Sequence, residues 1–228
     1  MHMSTIKMKK PYEFIIRYIA PPPGKPAVLT AGLPGLGLVG TGGASFLLSR
    51  SKSAPFKVAS VVSTDALSMV FAEDGGLAQV SDFSIEYVDP MASGLGALVL
   101  IGRAQPPSTI SQFALAETVL KIAKEFNVSW VLTMGGYQVP LLSPERHVYI
   151  AANDLTTYKI GIELDMRQLS GQVTGAAGVI AGLSKYMGFH GGCILAETDG
   201  KPPDLKASEA VYTGFIKLLT KIEKIVPL

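Results

Sequence analysis

Two rhythms of apolar and polar positions alternate along this chain. Short runs rich in aromatic and β-branched residues read as strands at residues 12–20, 27–31, 56–63, 129–133, 148–152, 159–164 and 191–197. Residues 97–101 (ALVLI) are apolar without interruption, which predicts a strand covered on both faces. Helical spacing takes over at 43–51, at 108–126 and in the long closing segment that begins PPDLKASEAV. Residues 171–187 are rich in Gly and Ala and apolar on most sides, which predicts a buried helix. Between 66 and 90, three short runs broken by EDGG and a lone Asp82 predict a meander or hairpin insert.

Strands that alternate with helices predict an α/β fold: a mixed, mostly parallel sheet with helices on both faces. No long Pro/Gly/Ser linker divides the 228 residues, so the expectation is one domain over 1–228, with residues 1–11 flexible. Composition narrows the functional classes. With 48% hydrophobic and 17% charged residues, the chain is core-rich and not of a disordered type. Lys and Arg number 20 against 18 acids, a net charge of +2. That balance argues against nucleic acid and against an anionic membrane surface as partners. No run reaches the ~18 apolar residues of a membrane span, and the N-terminus lacks an apolar signal core. A single cysteine, Cys193, excludes an internal disulfide and suits a reducing, cytoplasmic compartment. Its apolar neighbours predict an inert, buried thiol.

The stretch TAGLPGLGLVGTGG carries the most chemistry. Gly35, Gly37 and Gly40 follow a strand and open a helix in the order G-x-G-x-x-G. Bare glycines let main chain approach a pyrophosphate, and a helix N-terminus offers aligned N–H donors. Asp65, past the next strand, stands roughly where a ribose-binding acid would. The same spacing also serves a tight turn that packs a strand against a helix. Pro34 lacks an N–H, Asp65 falls late, and Gly42 and Gly43 weaken the helix that would hold phosphate. On the motif alone the turn is favoured, and a nucleotide- or small-molecule-binding enzyme is the alternative.

Other candidates are thinner. His147 and His190 lack the spacing of metal ligands, and no nucleophile elbow or P-loop lysine occurs. Glu73-Asp74 reads as a polar turn. Glu197 and Asp199 follow a strand, where α/β proteins place sites, although capping and solvation account for them as well. Arg103 also follows a strand, and a buried arginine there would need an acid. Glu197 is the expected partner. No catalytic residue, metal or cofactor is assigned.

Five blocks then fall in a recognisable order: GLPGLGLVG, GRAQP, MGGY, GLSKYMGFHGGCILAET and PPDLKASEAV. Together, from about Pro34 to Val211, they resemble the proteasome assembly chaperone 2 family, which includes archaeal members. The resemblance implies a phosphorylase/hydrolase-like α/β fold rather than a Rossmann dehydrogenase. It implies a non-enzymatic role in which 20S proteasome α-subunits are bound and helped into rings, and commonly a homo-oligomer. In some relatives a C-terminal hydrophobic–Tyr–any-residue ending docks between α-subunits. Here the chain ends Val226-Pro227-Leu228, without the tyrosine, so a docking tail would rely on Ile225, Val226 and Leu228.

Overall fold

In the computed structural model, residues 14–65, 70–72, 75–91 and 95–225 are described. The expected flexible segment 1–11 lies outside them, as do Glu73-Asp74, Val226 and Leu228. The strands are β1 (Phe14–Tyr18), β2 (Lys25–Gly32), β3 (Phe56–Ser63), β4 (Val70–Ala72), β5 (Ala78–Val80), β6 (Asp82–Val88), β7 (Leu95–Gly102), β8 (Trp130–Gln138), β9 (Val148–Ala152), β10 (Arg167–Gln168) and β11 (His190–Thr198). The helices are α1 (Val39–Ser49), α2 (Thr109–Glu125), α3 (Leu155–Glu163), α4 (Gly175–Tyr186) and α5 (Leu205–Glu223), and a 3₁₀ turn occupies Leu36–Leu38.

Nine strands form one sheet in the order β1-β3-β6-β7-β2-β8-β11-β9-β10. Its core, β7-β2-β8-β11, is parallel. The wing β1-β3-β6 joins it antiparallel, and so does β9 on the other side. This is the mixed α/β sheet with a parallel centre that the strand–helix alternation predicts. The continuous apolar run of β7 divides by the two-residue period of a strand. Ala97 and Val99 join one core layer, and Leu98 and Leu100 the other. Helices α1, α3 and α5 cover the first face, where Leu47, Ile160, Val211 and Phe215 meet Val28, Trp130 and Met134. Helices α2 and α4 cover the second with Leu115, Val119, Ala176 and Ile180.

Local chemistry sets the helix starts. Ser108 caps α2 through a capping box with Ser111. Asp154 caps α3, its carboxylate accepting the Thr156 and Thr157 N–H groups at 2.8 and 3.0 Å. That cap corrects one expectation. The alternation in Lys159-Ile160-Gly161-Ile162 reads as a strand over 159–164, yet these residues lie within α3 or at its end. The cap starts a helix upstream, and Ile160 and Gly161 then face inward, with Ile150 of β9 against Gly161. Strand propensity yields to capping and packing. Helix α1 also begins four residues earlier than its spacing suggests, at Val39, and its Gly42 admits Ser208 of α5. Strand β8 runs on through Gly135 and Gly136 beside Leu195 and Ala196 of β11. In the expected insert, β4 and β5 pair as a separate hairpin, whereas β6 enters the main sheet.

Phe215 of α5 is fully buried in the first layer. Phe215→Ala should lower the unfolding free energy by about 3–5 kcal/mol, read as a shifted guanidinium midpoint with the slope unchanged.

Candidate functional site

The glycine loop leaves the carboxyl end of β2, next to β8 in the parallel core, where open α/β sheets place ligands. Its geometry decides what the glycines do. Gly37 has φ +61° and Leu38 φ +54°, so two consecutive left-handed residues turn the chain into α1. The Gly37 N–H donates to Gly200 O at 3.2 Å, and the Gly37 carbonyl accepts the Asp204 N–H at 2.8 Å. A Cβ at Gly37 would stand 2.6 Å from Thr198 Oγ1, and one at Gly40 2.5 Å from the Met134 carbonyl. The main chain of β8 and the Thr198 side chain at the end of β11 therefore stand where a side chain at Gly40 or Gly37 would go. Gly35 is different: a Cβ there would make only ordinary contacts, such as 3.7 Å to Gln105 Nε2.

Gln105, from the GRAQP block, spans this region. Its Nε2 donates to Pro34 O at 2.5 Å, and its Oε1 accepts the Ala176 N–H at 2.8 Å at the start of α4. A cavity of about 390 Å³ lies beside it, lined among others by Gly35, Tyr137, Gln138, Gln172 and Thr174. Among the described residues, its lining includes no charged side chain. Asp65 stands elsewhere, accepting the Ser108 hydroxyl at 3.0 Å at the start of α2.

The structure does not bring Arg103 and Glu197 together. Strands β2 and β8 separate β7, which leads to Arg103, from β11, which carries Glu197. Three strand spacings amount to about 14 Å. Arg103 is exposed, its guanidinium 4.4 Å from the Phe71 ring centre. Glu197 is buried and anchors a cluster that its sequence neighbourhood does not advertise. It accepts from the Ser143 N–H at 3.0 Å, from the Ser143 hydroxyl, and from the Tyr149 hydroxyl at 3.1 Å. His147 Nδ1 lies 2.9 Å away, and His147 Nε2 lies 2.8 Å from Arg167 Nη2. Guanidinium can only donate, so Nε2 accepts and Nδ1 carries the proton that goes to Glu197. Serine and histidine thus both hang on one carboxylate. They are not in series, so this is not a nucleophile–base relay. The cluster latches the 139–147 connection to β11.

Burial alone would raise the Glu197 pKa. The Ser143 hydroxyl and N–H, with His147, outweigh that and lower it from 4.5 to about 2. Cys193 is buried, and burial pushes its thiol up to about 11, against a 3.2 Å hydrogen bond from Thr133. Of the C-terminal candidates, Ile225 follows α5 and is half exposed, while Val226 and Leu228 lie outside the described residues. Among the described residues, no helix is long and apolar enough to cross a membrane.

Comparison with known proteins defines the class first. The fold superposes on PbaB of Pyrococcus furiosus, an archaeal proteasome activator, with a TM-score of 0.81 and 26% identity, covering 93% of this chain and 94% of that one. It also superposes on PbaA of the same organism, an archaeal homologue of proteasome-assembly chaperone. There the TM-score is 0.72 at 21% identity, over 92% and 86% of the two chains. The PAC2 family profile matches residues 29–225, and the chain belongs to that family. The uncharacterized protein MJ1210 of Methanocaldococcus jannaschii is 32% identical over 197 residues, 84% of this chain and 73% of that protein.

The site geometry sets two measurable expectations. Gly37→Ala and Gly40→Ala should each destabilise the fold by about 1–3 kcal/mol, from strain or overpacking, while Gly35→Ala stays within about 1 kcal/mol in urea titrations. Because the folded pKa of Glu197 lies below its unfolded value, its contribution is present above about pH 4.5. It is lost as the pH falls toward about 2, and amounts to roughly 3 kcal/mol. The wild-type melting temperature should fall over that window. Glu197→Gln should melt lower at pH 7 and show a flatter profile across the same acid range.

Proposed function

We propose that this chain is a non-catalytic, protein-binding factor of the proteasome-assembly type that engages 20S α-subunits, alone or as an oligomeric scaffold. The observation that carries the reading is the likeness to PbaB, sustained over nearly the full length of both chains. The loop geometry supports it. Gly37 spends its N–H and its carbonyl on the protein's own main chain. Close packing of protein on Gly37 accounts for that glycine without a ligand. The outer surface is the candidate contact face. Apolar side chains stand exposed on it at Leu141, Leu155, Tyr186 and Leu205.

Native mass spectrometry with 20S α-subunits from the same organism tests the proposal. The expected result is a discrete complex that forms at low salt and persists at physiological ionic strength. Absence of any complex across the salt range would remove α-subunits as the partner. A thermal-shift series with ATP, ADP, NAD and FAD tests the alternative reading. The expected result is no shift, because a ligand at a hundredfold excess over its Kd would add about 2.7 kcal/mol and raise the melting temperature visibly.

A further inference from the structure

Strand β1 closes one end of the nine-stranded sheet and pairs on its inner side with β3, Phe14 opposite Ser63 through Tyr18 opposite Ala59. Among the described residues no strand pairs with its outer side, and for an edge so placed it is unusually apolar. Ile15 is 62% exposed, Ile16 38%, Tyr18 47% and the following Ile19 49%. Open edges normally carry charge, proline or a bulge that discourages pairing. Here Arg17 is the one charge between Phe14 and Ile19.

The hydrogen-bond phase of β1 fixes which groups are available. The Ile19 N–H donates inward to Val58 O at 2.8 Å. Antiparallel pairing alternates, so Arg17 and Ile15 also bond inward, opposite Ser60 and Val62. The main-chain N–H and C=O groups of Phe14, Ile16 and Tyr18 therefore point out of the sheet. Their side chains share the face covered by α2. Phe14 packs on the second core layer, and Tyr18 donates its hydroxyl to Glu125 Oε2 at 2.5 Å with its ring edge-on to Phe126. Both aromatic rings are thus held in place before anything binds.

We propose that β1 is the seam of a two-fold dimer, in which β1 of a second copy of this chain pairs antiparallel with it about Ile16. In that register Phe14 lies opposite Tyr18 of the second copy, and Ile16 opposite its own equivalent. The outward main-chain groups of both copies are then all satisfied at once. The aromatic and aliphatic pairs are of the kind that stabilise neighbouring strands. On the other face Arg17 lies opposite Ile15, so its stem covers an exposed isoleucine and its charge meets no like charge. The next register, centred on Arg17, would set the two arginines directly against each other. Self-complementarity about a two-fold axis is what an isologous interface demands, which is why the occupant is a second copy rather than a different chain. The seam is separate from α-subunit binding and does not depend on it.

The test uses the full chain. Sedimentation velocity should give an even-numbered oligomer. Ile16→Pro should raise the dissociation constant of the two-fold contact by roughly 30-fold or more, because each copy loses an outward donor. The inward bonds to β3 are untouched, so at concentrations where the wild type is itself dissociated the two should melt alike. Ile16→Cys should form a disulfide-linked dimer on mild oxidation, since directly opposed residues of this kind have Cα atoms about 5.5 Å apart. Ile15→Cys should not, its Cα being about 8 Å from its equivalent and its side chain on the other face. The native Cys193 is buried and stays silent. A monomeric wild type at high concentration overturns the proposal. So does an oligomer that survives Ile16→Pro and gives no cross-link with Ile16→Cys, or one in which Ile15→Cys links as readily. If Ile16→Pro lowers the melting temperature appreciably, the two cysteine variants alone decide.

Discussion

Everything near the centre of this protein depends on how closely main chain approaches main chain at the carboxyl ends of β2, β8 and β11. Gly37 is tied on both sides to the connection that follows β11, through Gly200 and Asp204. Gly40 lies against the Met134 carbonyl of β8. The close approach sets α1 on the sheet, and α1 in turn receives α5 through Gly42 and Ser208. A side chain at either central position would push these layers apart. That requirement explains the glycines without any ligand.

The same logic orders the surroundings of the loop. Gln105 spends both ends of its amide joining Pro34 to the first turn of α4, and so links the helices of one face to the loop that begins the other. Glu197 does similar work one strand further on. A buried carboxylate is costly unless its oxygens are satisfied. Here Ser143, His147 and Tyr149 satisfy them and fasten the connection before β9. Both clusters are polar and sit at strand ends, the features that usually mark an active site. In both, the polar atoms are spent on one another.

Much of this is legible in the sequence, though unevenly. The strand at 56–63, the capped helix after Ser108 and the long closing helix follow from periodicity and end signals that act within a few residues. The helix over Leu155–Glu163 is disguised because Ile160 and Ile162 alternate like a strand. The deciding signal is the Asp154 cap upstream, reinforced by packing against Ile150. Among candidate site residues, the glycine spacing is visible, but not what faces it. The Arg103–Glu197 pairing fails because sheet order is not written locally: two residues that each follow a strand are neighbours only if the strands are. Ser143, His147, Tyr149 and Arg167 escape as a group because 54 positions separate Ser143 from Glu197, and no spacing rule joins them.

Local chemistry therefore determined the α/β class, most strands and helices, the buried Cys193 and, through five ordered blocks, the family. Those rest on interactions between residues close in the chain or on patterns preserved along it. Tertiary structure alone decided which strands adjoin, that Thr198 and Met134 occupy the space over Gly37 and Gly40, and that β1 lies at the sheet's edge with three residues' main-chain groups turned outward. Those depend on long-range contacts, whose partners are chosen when two apolar layers close over a single sheet and not by any segment read by itself.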